Sequence, residues 1–105
     1  MKYMIEFTIR SAGLTHAENL SGQEALLNAF SKWQPEDGLT IHAFVSDLSN
    51  GGYVLVEADD PNVVALFVNK FGYWNDVDVV PVVDVTDGVE TGAAALAWAK
   101  GATGG

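Results

Sequence analysis

The chain has 105 residues, no cysteine, and fourteen acidic residues against five basic ones, a formal net charge of −9. That length makes one domain, and 49% apolar residues supply a core for it. The missing thiols exclude disulfides, cysteine-ligated zinc, iron–sulfur clusters and thiol nucleophiles, and the acid excess argues against a nucleic-acid backbone as partner.

The first strand is read over Lys2–Arg10, where Tyr3, Ile5, Phe7 and Ile9 alternate with Met4, Glu6, Thr8 and Arg10. Residues 11–19 read as a polar connection. Ser21 with Glu24 three residues on reads as a capping box opening a helix, and Leu26, Phe30 and Trp33 then fall on one stripe. Residues 34–38, with Pro35 and Gly38, stop it. A second strand over Leu39–Asp47 alternates Leu39, Ile41, Ala43 and Val45 with Thr40, His42, Phe44 and Ser46. Residues 49–52 (Ser-Asn-Gly-Gly) read as a tight turn using the positive φ angles that Asn and Gly tolerate, and Tyr53–Ala58 as its partner strand.

A second helix opens at Asp60 as N-cap with Pro61 at the first helical position. It buries Val63, Phe67 and Phe71, and Gly72 stops it. A valine-rich strand follows over Val77–Val85; Pro81 within it marks a sheet edge or a bulge, since proline cannot donate to a ladder. Thr86-Asp87-Gly88 reads as a turn, Thr91–Lys100 as an alanine-rich helix, and Gly104-Gly105 as a frayed end. The order β-α-β-β-α-β is that of a ferredoxin-like α+β fold with a four-stranded antiparallel sheet. Residues 1–85 are expected to form this domain and residues 86–105 a C-terminal tail with a short helix.

Both helices of such a fold lie on one sheet face, so the purely apolar sets belong there. The other face is then expected to carry Glu6, His42 and Glu57 among Met4, Phe44, Tyr53, Leu55, Val80 and Val82, the last six making a patch too apolar for a soluble monomer to leave bare. A second copy of the same face is the expected cover, leaving a partly polar pocket between two sheets. The competing cover is the tail helix, folding back through Leu96 and Trp98.

The stretch Gly52-Tyr53-Val54-Leu55-Val56-Glu57-Ala58-Asp59-Asp60-Pro61, with Met1-Lys2-Tyr3-Met4 and Val79-Val80-Pro81-Val82-Val83, resembles the DUF3303 group of small bacterial proteins over roughly residues 1–85. That group is similar in turn to the dimeric α/β-barrel superfamily. The resemblance implies the ferredoxin-like fold and a dimeric α/β barrel. It brings no activity or catalytic pattern, because the superfamily spans monooxygenases, isomerases, heme enzymes and stress-response proteins.

His42 is the candidate with chemistry. Glu6 and Glu57 on neighbouring strands are expected to approach it, and an imidazole between carboxylates in a half-enclosed pocket acts as a general acid or base. A histidine satisfied by a neighbour at an interface is the competing reading. Phe44 and Tyr53 are expected on the inner wall of the pocket, with Trp74 beside Tyr73 at its mouth, so that Glu6, His42, Phe44, Tyr53, Glu57 and Trp74 form the expected ligand-binding set. His16 reads as an exposed histidine.

No phosphate-cradling glycine loop, nucleophile elbow or EF-hand spacing occurs, and no close-spaced ligand set marks a metal. No cofactor, nucleic acid or membrane is expected as a partner. The N-terminus has an acid in its apolar stretch and no cleavage site, and no window approaches the roughly 20 apolar residues of a membrane span, so a cytoplasmic location is expected. The leading functional expectation is a homodimer binding a small apolar or aromatic molecule between its sheets. The alternatives are a cofactor-independent monooxygenase or isomerase using His42, and a protein–protein interaction module.

Overall fold

A computed structural model describes residues 1–104, so the fraying expected at Gly105 lies outside the described residues. The elements run β1 (Lys2–Ile9), α1 (His16–Lys32), β2 (Thr40–Ser46), β3 (Gly51–Glu57), α2 (Pro61–Phe71), β4 (Asn75–Val82) and α3 (Val85–Ala102). The four strands form one antiparallel sheet in the order β2-β3-β1-β4, which with this element order is the expected ferredoxin-like α+β architecture. Pro81 stands on β4, an edge strand as its missing N–H requires.

α1 begins earlier than Ser21. Thr15 is its N-cap, its hydroxyl accepting from the Glu18 N–H at 3.1 Å, while the Glu18 carboxylate accepts from the Leu14 N–H at 2.8 Å. A Thr-x-x-Glu box, six residues before Ser-x-x-Glu, satisfies the orphan donors first, and the helix runs through Ser21. α2 opens as expected: Asp60 accepts from the Asn62 N–H at 2.9 Å, and Pro61 follows. Gly72 ends it at φ −64°, outside the left-handed region; the Arg10 guanidinium donates to its carbonyl, and a cation suits a helix C-terminus. The end of α1 is tied to α2 by Glu36, whose side chain is only 5% exposed. It accepts from Trp33 Nε1 at 3.1 Å and pairs with Lys70 Nζ at 2.9 Å; partners of this kind let a carboxylate leave water.

One-sided packing of the sheet makes the core. Ile5, Leu39, Val54, Val56 and Ala58 meet Val64 and Phe67 of α2. An aromatic cluster extends it, with Trp33 stacked on Phe67 at 5.1 Å and Phe30 edge-on to Phe44 at 5.7 Å. Phe44 was expected on the opposite face. The β2–β3 register shifts between Ile41 and Ala43, so that Phe44 pairs with Val54 while Ala43 and Val45 pair with Leu55 and Tyr53. The inserted residue reverses the alternation of the rest of β2. Strict alternation would leave the Phe44 ring in water and put Ala43 against the cluster. Phe44 keeps 40% of its surface exposed, so covering the rest of the ring is worth about 1–2 kcal/mol, enough to offset the one ladder bond, about 1 kcal/mol, that a bulge sacrifices.

Two further expectations change. The glycines after Asn50 belong to β3 and serve close approach: a Cβ on Gly52 would meet the Val45 carbonyl oxygen at 2.0 Å and the Phe7 ring at 3.0 Å. The hairpin's positive φ falls instead on Leu48, at 67°, with Asp47 accepting from the Ser49 N–H at 2.9 Å. The last helix starts at Val85 rather than Thr91, taking in the expected turn at residues 86–88. Val83 lies beyond β4, exposed rather than helix-facing, and Val85, which opens α3, is exposed as well. Asp84 is the N-cap of α3, but its carboxylate is engaged by Lys2 Nζ at 2.8 Å and caps no N–H. α3 buries no residue, and Trp98 is 75% exposed, so this helix does not cover the helix-free sheet face. Among the described residues no helix is long and apolar enough to cross a membrane.

Leu48 is solvated and held in the left-handed region, which costs a Cβ-bearing residue about 1–2 kcal/mol. Leu48→Gly is therefore expected to stabilise the chain by about 1 kcal/mol, read as a higher urea midpoint at unchanged slope.

Candidate functional site

The helix-free face is built by the even-numbered residues of β1 and their cross-strand partners. Met4 lies between Leu55 and Val80, Glu6 between Tyr53 and Asp78, and Lys2 between Glu57 and Val82. β2 adds Thr40 opposite Glu57, then Ala43 and Val45. Val45 and Val80 are about half exposed and Tyr53 is 41% exposed, so the apolar centre of this face stands open to water.

His42 occupies the bulge, and its Nε2 lies 2.8 Å from the Glu57 carboxylate. That hydrogen bond is the chief cause that holds the Glu57 carboxyl below the ordinary glutamate value, with smaller help from the charges of His42 and Lys2. Lys2, paired with Asp84, has its ammonium pushed above the usual lysine value chiefly by that bond. The arrangement is a short polar row, Asp84–Lys2 beside Glu57–His42, along one margin of an apolar field. An imidazole hydrogen-bonded to a carboxylate, with its second nitrogen left over, is able to move a proton to or from a bound molecule.

The six expected ligand-binding residues do not converge. His42 and Glu57 meet, and Tyr53 shares their face. Glu6 stands on that face too, but opposite Asp78, a like charge, and away from His42; among the described residues it has no ion-pair partner. Arg10, just past the end of the same strand, lies near Asp76 at 3.6 Å and on the Gly72 carbonyl instead. Phe44 is on the helix side, turned there by the bulge. Trp74 lies beside Ala29, Lys32, Gln34 and Lys70, near the ends of α1 and α2, and rests edge-on against Tyr73 at 6.2 Å. It forms no mouth to the His42 site. His16 is exposed at the first position of α1. Among the described residues no three His, Asp or Glu side chains are grouped to hold a metal.

Two polar residues escaped the sequence reading, Glu36 and Asn75. Asn75 is buried, at 7% exposure, and pairs with Ile9 at the start of β4. Carrying the Val77, Val79 alternation two residues backwards puts Asn75 on the helix side, and that was the available signal.

The fold and the open face define a ferredoxin-like α+β protein with one helix-covered and one bare sheet face. Within that class the chain belongs to DUF3303, a domain of unknown function, whose family model matches residues 1–96 and so extends into α3. No curated protein matches the sequence. Among solved structures the chain is similar to the crystal structure of SCO4226 from Streptomyces coelicolor A3(2), at 14% identity over 78% of this chain and 99% of that one, with a TM-score of 0.36. A likeness at that level carries no functional argument.

Because the Glu57 carboxyl is lowered, the interaction contributes stability above the ordinary carboxylate range and loses it as pH falls through the folded value. The side-chain carboxyl resonance of Glu57 is expected to titrate below that of a glutamate in an unstructured peptide. In His42→Ala the midpoint is expected to rise back toward the peptide's; an unmoved midpoint would deny the bond.

Proposed function

We propose that this chain works as a homodimer whose helix-free sheet faces close on each other, in the dimeric α/β-barrel manner, and hold a small apolar or aromatic molecule between them. The observation that carries this reading is the open face itself. Val45, Tyr53, Leu55, Met4 and Val80 form a continuous apolar field across β2, β3, β1 and β4, and α3 does not shield it. Covering several hundred Å² of such surface at about 25 cal/mol per Å² is worth several kcal/mol before the entropy of association. A two-fold axis through the field needs no second partner species, since the surface meets its own copy. The His42–Glu57 pair and Glu6 at the margins keep part of the enclosed space polar, which suits a ligand with an apolar body and a polar edge. With −9 charges on each chain, two copies repel over long range, so association is expected to strengthen with salt.

A second reading, a cofactor-independent monooxygenase- or isomerase-like enzyme, is favoured by one observation, the 2.8 Å contact between His42 and Glu57. There the imidazole moves the proton and the carboxylate orients it. On an identified substrate, His42→Ala would then lose turnover while the dimer persists.

Light scattering on the eluting species tests the main proposal, with the expected mass twice the 11.2 kDa of one chain. Val80→Lys places a charge within the apolar field, beside Met4, while leaving a single chain folded, and is expected to return the mass to that of one chain. A wild-type chain that stays single at tens of micromolar in moderate salt contradicts the proposal.

A further inference from the structure

The covered side of the sheet contains a second, separate space. Between the sheet and the two helices α1 and α2 lies a cavity of about 190 Å³, walled by Phe7, Phe44 and Val77 from the strands and by Phe30 and Phe71 from the helices. Its lining is apolar except for Asn75. The Asn75 Nδ2 donates to the Phe71 carbonyl oxygen at 2.9 Å. That bond settles which way the amide faces, because the flipped side chain would set two carbonyl oxygens against each other. Oδ1 is left as a buried acceptor with no partner among the described residues, an uncommon and costly state for an atom that carries two lone pairs.

We infer that this cavity binds a small uncharged aromatic molecule bearing one hydrogen-bond donor, a phenol-like ligand whose hydroxyl donates to Asn75 Oδ1. Each part of that description follows from the walls. No ionisable side chain lines the cavity, so a carboxylate or ammonium would be stripped of water without compensation. The volume exceeds the roughly 150 Å³ that accommodates benzene and falls short of the roughly 300 Å³ of a drug-sized site, which selects one substituted ring. Five phenylalanines, Phe67 among them, present edges and faces to that ring. The free atom accepts, so the ligand donates; ketones, ethers and esters leave it unpaired. Leu27 and Phe30, both on the α1 wall and both substantially exposed, form the way in.

The site is independent of the proposed dimer, since it lies across the sheet from His42 and Tyr53. Phenol and anisole, nearly the same shape and differing in the donor, are the probes, titrated into the full chain and followed by amide and aromatic NMR shifts. Phenol is expected to shift Phe30, Phe71 and the Asn75 side-chain amide, leaving His42 and Tyr53 in place, and to bind roughly tenfold or more tightly than anisole. Asn75→Leu is expected to erase that preference, and Val80→Lys to retain it. Equal affinities for the two probes, no binding by either, or shifts confined to His42 and Tyr53 would each overturn the inference. A bound water alone satisfying Oδ1, undisplaced by phenol, would do the same. The wild-type comparison decides the matter even where Asn75→Leu fails to fold.

Discussion

One extra residue in β2 decides what each face of the sheet presents. Up to Ile41 the strand keeps the alternation of its neighbours; past His42 every side chain has changed sides. The Phe44 ring gains the aromatic cluster and the helix layer gains a wall, while Val45 is released into water beside Tyr53. His42, at the insertion itself, lies beside Glu57 on the open face. Without the insertion the open face would carry a large ring and lose an aliphatic stripe, and the cavity between sheet and helices would lack one side. The preference of one phenylalanine for aromatic company thus shapes both surfaces.

The two faces are built on opposite principles. The helix side packs around an apolar interior, with its terminal connections tied by specific polar contacts: Glu36 to Trp33 and Lys70, and Arg10 to the end of α2. The open side is apolar at its centre and charged at its margins, with Asp84–Lys2 and Glu57–His42 in a row. α3 shares this unfinished character. An eighteen-residue helix that buries nothing and contains Gly88, Gly92 and Gly101 is marginal by itself in water, and its Val85, Val89 and Leu96 fall along one side. The bare sheet and the bare helix are the two places where the molecule lacks the burial that stabilises its other elements.

The architecture was legible because patterning and capping agreed. Period-two alternation in β1 and the Asp60–Pro61 start of α2 each have one physical solution, and Pro81 narrowed β4 to an edge or a bulge. What escaped reading were features decided by tertiary contact. The alternation of β2 looked regular, and only the company available to Phe44 makes a bulge worthwhile. Two competing capping boxes stood at the start of α1, and sequence alone does not rank Thr15–Glu18 above Ser21–Glu24. The left-handed residue of the hairpin was sought among Asn and Gly and fell on Leu48, because Gly51 and Gly52 are needed where backbones touch. At the candidate site, the meeting of His42 with Glu57 was readable from strand neighbours. The removal of Phe44 followed from the bulge, and the distance of Trp74 from the position of α1. Asn75 was missed because the β4 strand was begun two residues late.

Because everything on either face follows from where β2 changes sides, the most direct measurement is the through-space proton contacts of the Phe44 ring. The bulge predicts cross-peaks from that ring to Phe7, Phe30 and Phe67, and none to Leu55 or Tyr53. Cross-peaks to Leu55 and Tyr53 instead, with the Ala43 methyl against the helices, would mean an unbroken alternation and would contradict the account of both faces.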